Sequence, residues 1–176
     1  MGRWLIVIIV FPSLFSACSP HIFPAKALEG VDPNFDFSQW RRMPNQSESR
    51  KIQLGGRILQ TETVGDIVTI VALQLPIAEH PAYGPKTLGK RSGEFAIVYP
   101  GKVDSLFLQS GNRLIVIGHI RSRVRVEVDD LLRSLPTVTA QCIHFWNTGD
   151  RDISDFSASG AGYETLREET YCIAVP

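Results

Sequence analysis

The sequence has no surplus of charge of either sign. Its 176 residues contain 18 Lys and Arg and 18 Asp and Glu. Proteins that bind nucleic acid usually carry a basic surplus that neutralises phosphates. We therefore expect no nucleic-acid partner.

The sequence also lacks the short motifs of common catalytic and cofactor sites. It contains no G-x-S-x-G turn for an activated serine, no P-loop and no dinucleotide fingerprint. No metal-binding side chain follows any histidine by two to five residues, as close ligand spacing would require. The four histidines are His21, His80, His119 and His144. We expect no metal, no cofactor and no catalytic residue, with His119 and His144 serving as structural histidines within strands.

The apolar run at the N-terminus is too short to cross a membrane. The stretch 4–11 carries no charge, but Pro12 ends it after eight residues, whereas a transmembrane helix needs about 20. Arg3 precedes the run and small residues follow it, which is typical of a secretory signal peptide. We predict that residues 1–17 are a signal peptide and that the mature chain begins at Cys18.

The residues around the cleavage site indicate a lipid anchor. The stretch Phe15-Ser16-Ala17-Cys18 resembles the bacterial lipobox, although Phe15 stands where Leu is usual. The resemblance implies diacylglycerol on the Cys18 thiol, an acyl chain such as palmitate on its amino group, and handling by lipoprotein-processing and sorting machinery. Each buried CH₂ contributes about 0.8 kcal/mol, so several chains hold firmly. In enteric lipoproteins, an Asp directly after the lipidated cysteine retains the protein in the inner membrane. Here that residue is Ser19, so the resemblance implies the outer membrane. The alternative to a lipoprotein is a plainly secreted protein.

Two cysteines remain once Cys18 is assigned to lipid. Cys142 and Cys172 form an even pair, and disulfides form in exported proteins. A bond between them closes a loop of about 30 residues, for which chain entropy suggests roughly 3–4 kcal/mol. The alternative is two buried free thiols, since cysteine is often a small core residue.

The chain divides into a tether, a β domain and a tail. Residues 18–50 contain several prolines and polar runs, which indicates a lipidated N-terminus and tether, with Phe35, Phe37 and Trp40 packing on the domain. Residues 51–146 form the predicted β domain. Residues 147–176 begin as a polar, glycine-rich spacer and end in a C-terminal segment.

Apolar patterning predicts five main strands. They lie at 51–59, 65–76, 94–99, 113–120 (continued by or paired with 123–128) and 137–146. We expect a bulge or sharp coil at Gly55-Gly56, a long loop over 77–93, short helices over 129–134 and 163–170, and a returning strand over 171–175. The predicted fold is mainly β: a small five- to six-stranded OB-like Greek-key barrel with a short helix and a C-terminal extension.

One strand carries a stripe of positive charge. Arg121, Arg123 and Arg125 recur at period two, which places successive side chains on one strand face. Guanidinium groups bind phosphate and carboxylate bidentately, so this stripe is a candidate anion-binding site. The alternative is a solvated face neutralised by Glu127, Asp129 and Asp130.

Three stretches of the β domain carry a resemblance to a known family. They are GGRILQTETVGDIVTIVALQLP, SGEFAIVYPGKVDSLFLQSG and GNRLIVIGHI. In order and spacing they resemble the Slp family of outer-membrane lipoproteins over about residues 50–146, although Glu94 stands where the family usually has Arg. The resemblance implies a lipid anchor, the outer membrane and a β-rich domain, and it implies no reaction or ligand.

The predicted function is a non-catalytic outer-membrane lipoprotein. Its β domain lies in the periplasm and binds an envelope protein or polymer, or supports the envelope. The alternative is a lipid-tethered periplasmic hydrolase that uses His80 in the 77–93 loop. Nucleic-acid binding through an OB-like barrel is a weaker third hypothesis, because loss of Arg3 leaves 17 basic against 18 acidic residues.

Overall fold

The computed structural model describes residues 22–43, 49–77, 84–85, 93–128, 131–151, 158–159, 162–163 and 166–173. Two short helices precede the sheet, α1 (Ala25–Leu28) and α2 (Phe37–Arg42). The strands within these ranges are β1 (Lys51–Val64), β2 (Ile67–Leu75), β3 (Glu94–Pro100), β4 (Arg113–Val128), β5 (Leu131–Trp146), β6 (Ala158–Ser159), β7 (Gly162–Tyr163) and β8 (Glu168–Cys172).

Strands β1 to β5 close into a ring. The sheet order is β3-β2-β1-β4-β5-β8, and β3 also pairs with β5. The β3–β5 pairing is parallel, whereas the other pairings in this sheet are antiparallel. β8 pairs with the second half of β5, and β6 and β7 form a separate two-stranded sheet. The prediction of a mainly β fold with five to six strands is confirmed.

The inner face of the ring holds the main core, because apolar side chains alternate inward along each strand. Trp40 and Phe37 of α2 join this core at one end, and Phe107 of the β3–β4 connection joins it as well. Its members from the strands include Ile52, Ile58, Ile70, Phe95, Ile97, Tyr99, Leu114, Val116 and Phe145. Phe37 and Trp40 are therefore anchored to the domain, as predicted.

The outer face of the sheet also carries apolar residues, and two further clusters cover them. Ile115 and Ile117 point away from the inner core and pack with Phe23 and Ala27 of the N-terminal segment. Val71 and Ala96 pack with Val126 and Leu135, which belong to the distal half of the β4–β5 hairpin. Strands that are apolar on both faces need such cover on both sides.

Two predicted helices are wrong. The stretch predicted as a helix over 129–134 includes the start of β5, where Leu131 pairs with Val128. In the stretch 163–170, Glu168 to Thr170 lie in β8 and pair with β5. The local helical preference of both segments is overridden because each completes a ladder of backbone hydrogen bonds beside a long strand.

The expected irregularity at Gly55-Gly56 is also wrong in position. Both glycines pair regularly with Leu75 and Gln74, and the register shift comes later, between Ile58 and Gln60. A Cβ atom on Gly55 would lie 2.6 Å from the Pro85 side chain. Glycine is therefore present because other atoms approach the strand closely.

Candidate functional site

The first residues that the structure describes are built into the sheet. Phe23 is only 3% exposed and packs against Ile115 and Trp146 on the outer face of β4 and β5. Ile22 packs against the same cluster. The chain therefore joins the folded domain four residues after Cys18, well before the predicted start of the β domain at residue 51.

A chain of hydrogen bonds fixes this junction. The Thr170 hydroxyl donates to the backbone carbonyl of Ile22 over 2.9 Å. Because that hydroxyl has one proton, it accepts at its oxygen from His144 Nδ1, which lies 2.7 Å away. The imidazole therefore carries its proton on Nδ1. We call Ile22, Phe23, His144 and Thr170 the N-terminal clasp.

His144 in the clasp is neutral over most of the pH range. His144 is 4% exposed, and burial lowers the pKa of its imidazole to about 4. Nε2 is buried without a hydrogen-bond partner in the described part of the chain. The nearest Glu168 oxygen is 3.7 Å away, beyond hydrogen-bonding distance. The interpretation of His144 as a strand histidine with a structural role agrees with this arrangement.

A disulfide borders the clasp. Cys142 and Cys172 occupy opposing positions in the β5–β8 ladder, and their sulfur atoms are 2.09 Å apart. Thr170 lies two residues from Cys172 on the same short strand. The covalent link therefore holds the strand that donates to Ile22 against the strand that carries His144.

Arg113 is the first residue of β4 and pairs with Trp146 in the β4–β5 ladder. The sequence did not predict that it is buried. It is 1% exposed, and its guanidinium donates to the backbone carbonyl of Pro85. Gly84, with a positive φ of 89°, packs its Cα against Trp146, where a Cβ would lie 2.8 Å from the indole. The described part of the 77–93 segment is thus held against the outer face. The sequence gives no sign of it, since an arginine that begins a strand resembles any surface arginine.

The three arginines of the predicted stripe lie on the opposite end of the β4–β5 hairpin. Arg121, Arg123 and Arg125 are all exposed. The register shifts between Arg121 and Val124, which interrupts the alternation on which the stripe was predicted. Arg123 donates to the backbone carbonyl of Arg41 over 2.9 Å, so one guanidinium serves to hold the end of α2.

Exposed aliphatic side chains accompany these arginines. Leu131 is 60% exposed and Leu132 is 75% exposed at the start of β5. We call residues 121–128 and 131–136 the hairpin tip. The clasp and the hairpin tip therefore lie at opposite ends of the same long strand.

A family model described as the outer membrane lipoprotein Slp family matches residues 15–169. The chain belongs to the Slp family. The match confirms the predicted family and extends beyond residues 50–146 in both directions, so it includes Cys18 and every residue of the clasp except Thr170. No curated protein matches the chain significantly.

Membership of the Slp family makes this protein an outer membrane lipoprotein. Within the described ranges, no helix has the length and apolar character to cross a membrane. Among the same residues, no group of three or more His, Cys, Asp or Glu side chains is arranged to hold a metal ion. Cys18, His21 and His80 lie outside the described residues, and His119 is exposed on β4.

The Slp-family domain also has an open groove at the rim of the ring. Its volume is about 550 Å³, and it lies between the start of α2 and the adjoining ends of β1 and β2. Gln53 and Gln74 supply amide groups to its wall. The Gln74 side-chain oxygen is buried with no hydrogen-bond partner in the part of the chain described. This oxygen could therefore accept a hydrogen bond from a ligand in the groove.

Proposed function

We propose that this Slp-family protein is a non-catalytic outer membrane lipoprotein that carries lipid on Cys18 after removal of residues 1–17. Its domain lies in the periplasm and serves as a binding or envelope-structural module. The observation that carries the proposal is the docking of Ile22 and Phe23 on the sheet. The residues next to the proposed lipid site are thus part of the fold, as expected of a domain that is held by its N-terminus.

The shape of the ring supports binding at outer surfaces. The strand order β1-β2-β3-β5-β4 is compatible with an OB-like barrel. Side chains of the main core fill its interior. The outer face of strands 2 and 3, which binds oligonucleotides or oligosaccharides in OB-folds, is packed here at Val71 and Ala96 beneath the hairpin tip. Nucleic-acid binding at that face is therefore disfavoured, and a partner protein or polymer is expected at another outer surface.

The state of His144 supports a role without catalysis. Its Nδ1 proton is committed to Thr170, and burial keeps the pKa of the imidazole near 4. A general base works best with a pKa near the operating pH. In this position the imidazole links strands and does not meet solvent.

The test is intact mass together with membrane fractionation of the native chain and a Cys18→Ser variant. The native protein is expected to start at Cys18, to carry acyl mass and to sediment with the outer membrane, whereas the variant stays unlipidated. Spectra with and without reductant and alkylation report the Cys142–Cys172 bond. A soluble native protein, or one that retains residues 1–17, would contradict the proposal.

A further inference from the structure

We infer that the N-terminal clasp holds the domain against the membrane in one orientation, with α1 and β8 facing the lipid headgroups and the hairpin tip pointing into the periplasm. The inference rests on the proposed lipidation of Cys18. The partner of this surface is the headgroup layer of the anchoring leaflet.

The free chain between the proposed lipid site and the clasp is short. Only residues 19–21 separate Cys18 from Ile22, so the two Cα atoms stay within about 14 Å of each other even when the chain is fully extended. A tether running to residue 50 would span roughly 100 Å when extended. The position of the clasp therefore decides whether the domain is near the membrane or distant from it.

The docked segment, residues 22–32, is held at both ends. At its start, the carbonyl of Ile22 accepts from Thr170. At its end, the backbone nitrogen of Asp32 donates to the carbonyl of Lys51 over 2.9 Å, and the Lys51 ammonium donates to the carbonyl of Glu29 over 2.8 Å. Between them Phe23 and Ala27 are buried. Undocking this segment to lengthen the free chain would expose these side chains and break these bonds.

The anchored face carries charges of both signs. The exposed charged residues of this face lie on or directly after α1 and on or directly before β8. They are Lys26, Glu29, Arg167, Glu168 and Glu169. They include both signs and no basic surplus, so attraction to anionic lipid does not orient the domain. The short free chain orients the domain instead. Because salt screens attraction between surface charges, the orientation is expected to be insensitive to salt.

The opposite end lies far from this face. β5 runs from His144 in the clasp to Leu132 in the hairpin tip, a contour length of about 40 Å that the curvature of the ring shortens. The exposed leucines and arginines of the tip are therefore presented to periplasmic partners rather than to lipid.

The experiment uses the full-length lipidated protein in vesicles of phosphatidylethanolamine and phosphatidylglycerol. Since Cys18 is acylated and Cys142 and Cys172 are bonded, a single added cysteine labels one position. A donor dye is placed at Lys26→Cys or Leu132→Cys, both exposed sites, with an acceptor on the lipid headgroups. We expect about twofold or more transfer from position 26, because the strand separates the two sites by tens of ångströms. Equal transfer, or a difference abolished by high salt, would overturn the inference.

A longer tether is the matched control. About 20 Gly and Ser residues inserted between Ser19 and Pro20 behave as a flexible coil, and the difference between positions 26 and 132 should then be lost. A difference that persists would show that the short chain does not set the orientation, which overturns the inference while leaving lipidation intact. A native protein that lacks acyl mass and does not float with the vesicles would overturn the proposed function and the inference together.

Discussion

Both ends of β5 carry apolar residues, yet the first two residues of the strand stay uncovered. Near Trp146, the N-terminal segment buries Cys142 and His144. At the other end, Leu131 and Leu132 remain largely exposed. The difference teaches that an apolar outer face becomes core only where another segment reaches it. In this protein that segment is the one next to the proposed lipid site.

The largest expected effect is removal of the disulfide at the clasp end. Replacing Cys142 and Cys172 with serine should lower the free energy of unfolding by about 3–4 kcal/mol, because the unfolded chain loses a closed loop of about 30 residues. Urea unfolding in the Cys18→Ser background measures this. The control pair, Leu131→Ser with Leu132→Ser, should change stability by about 0.5 kcal/mol or less. Equal losses at the two ends would remove the contrast between them.

Truncation of Phe23 is expected to have the next largest effect. Phe23→Ala removes a buried ring from the outer face and should cost about 3 kcal/mol in the free energy of unfolding. Leu131→Ala removes an exposed side chain at the hairpin tip and should cost about 0.5 kcal/mol or less. Urea unfolding of both variants gives the comparison directly. If Phe23→Ala is as mild as Leu131→Ala, the clasp does not contribute to folding.

Acid should weaken the clasp through His144. Burial lowers the pKa of its imidazole to about 4 in the folded protein, against about 6.5 in the unfolded chain. Between these values the unfolded state binds more protons, so stability is complete above pH 6.5 and falls as the pH approaches 4, by up to about 3 kcal/mol. Unfolding free energies measured across this window test it.

The control for this titration is the exposed strand histidine. His144→Gln should remove that part of the pH dependence, whereas His119→Gln should leave it in place. An unchanged slope in the His144→Gln protein would assign the acid sensitivity to other groups.

Loss of the Thr170 hydroxyl is expected to have the smallest effect of the four. Thr170→Val leaves the Ile22 carbonyl and His144 Nδ1 without their partner and should cost about 1–2 kcal/mol. Thr63→Val, at an exposed position on β1, should be nearly neutral. Urea unfolding separates the two, and a neutral Thr170→Val would mean that water replaces the hydroxyl at the clasp.

Most of the sheet was predictable because its signal is local. The apolar, β-branched stretches that became β2 and β3 predict strands without any knowledge of their neighbours. The starts of β5 and β8 were not predictable in this way. Leu131 to Ser134 and Glu168 to Thr170 suit a helix locally, and only the strands beside them make them β.

The candidate site was predictable only in part. The pair Cys142 and Cys172 follows from the number of cysteines and the compartment. Phe23, Arg113 and Thr170 were missed, because nothing near them in the sequence marks them as buried or bonded. Interruption of the arginine stripe was missed for a related reason, since a bulge is a property of two paired strands.

The sequence by itself determined the balanced charge, the pattern expected of an anchored N-terminus and the positions of most strands. These depend on composition or on residues close together in the chain. The tertiary structure alone decided that residues 22–32 are docked, that His144 is neutral and protonated on Nδ1, and that one end of β5 is covered while the other is exposed. Each of these depends on contacts between distant segments, such as Ile22 with Thr170, and no local pattern encodes them.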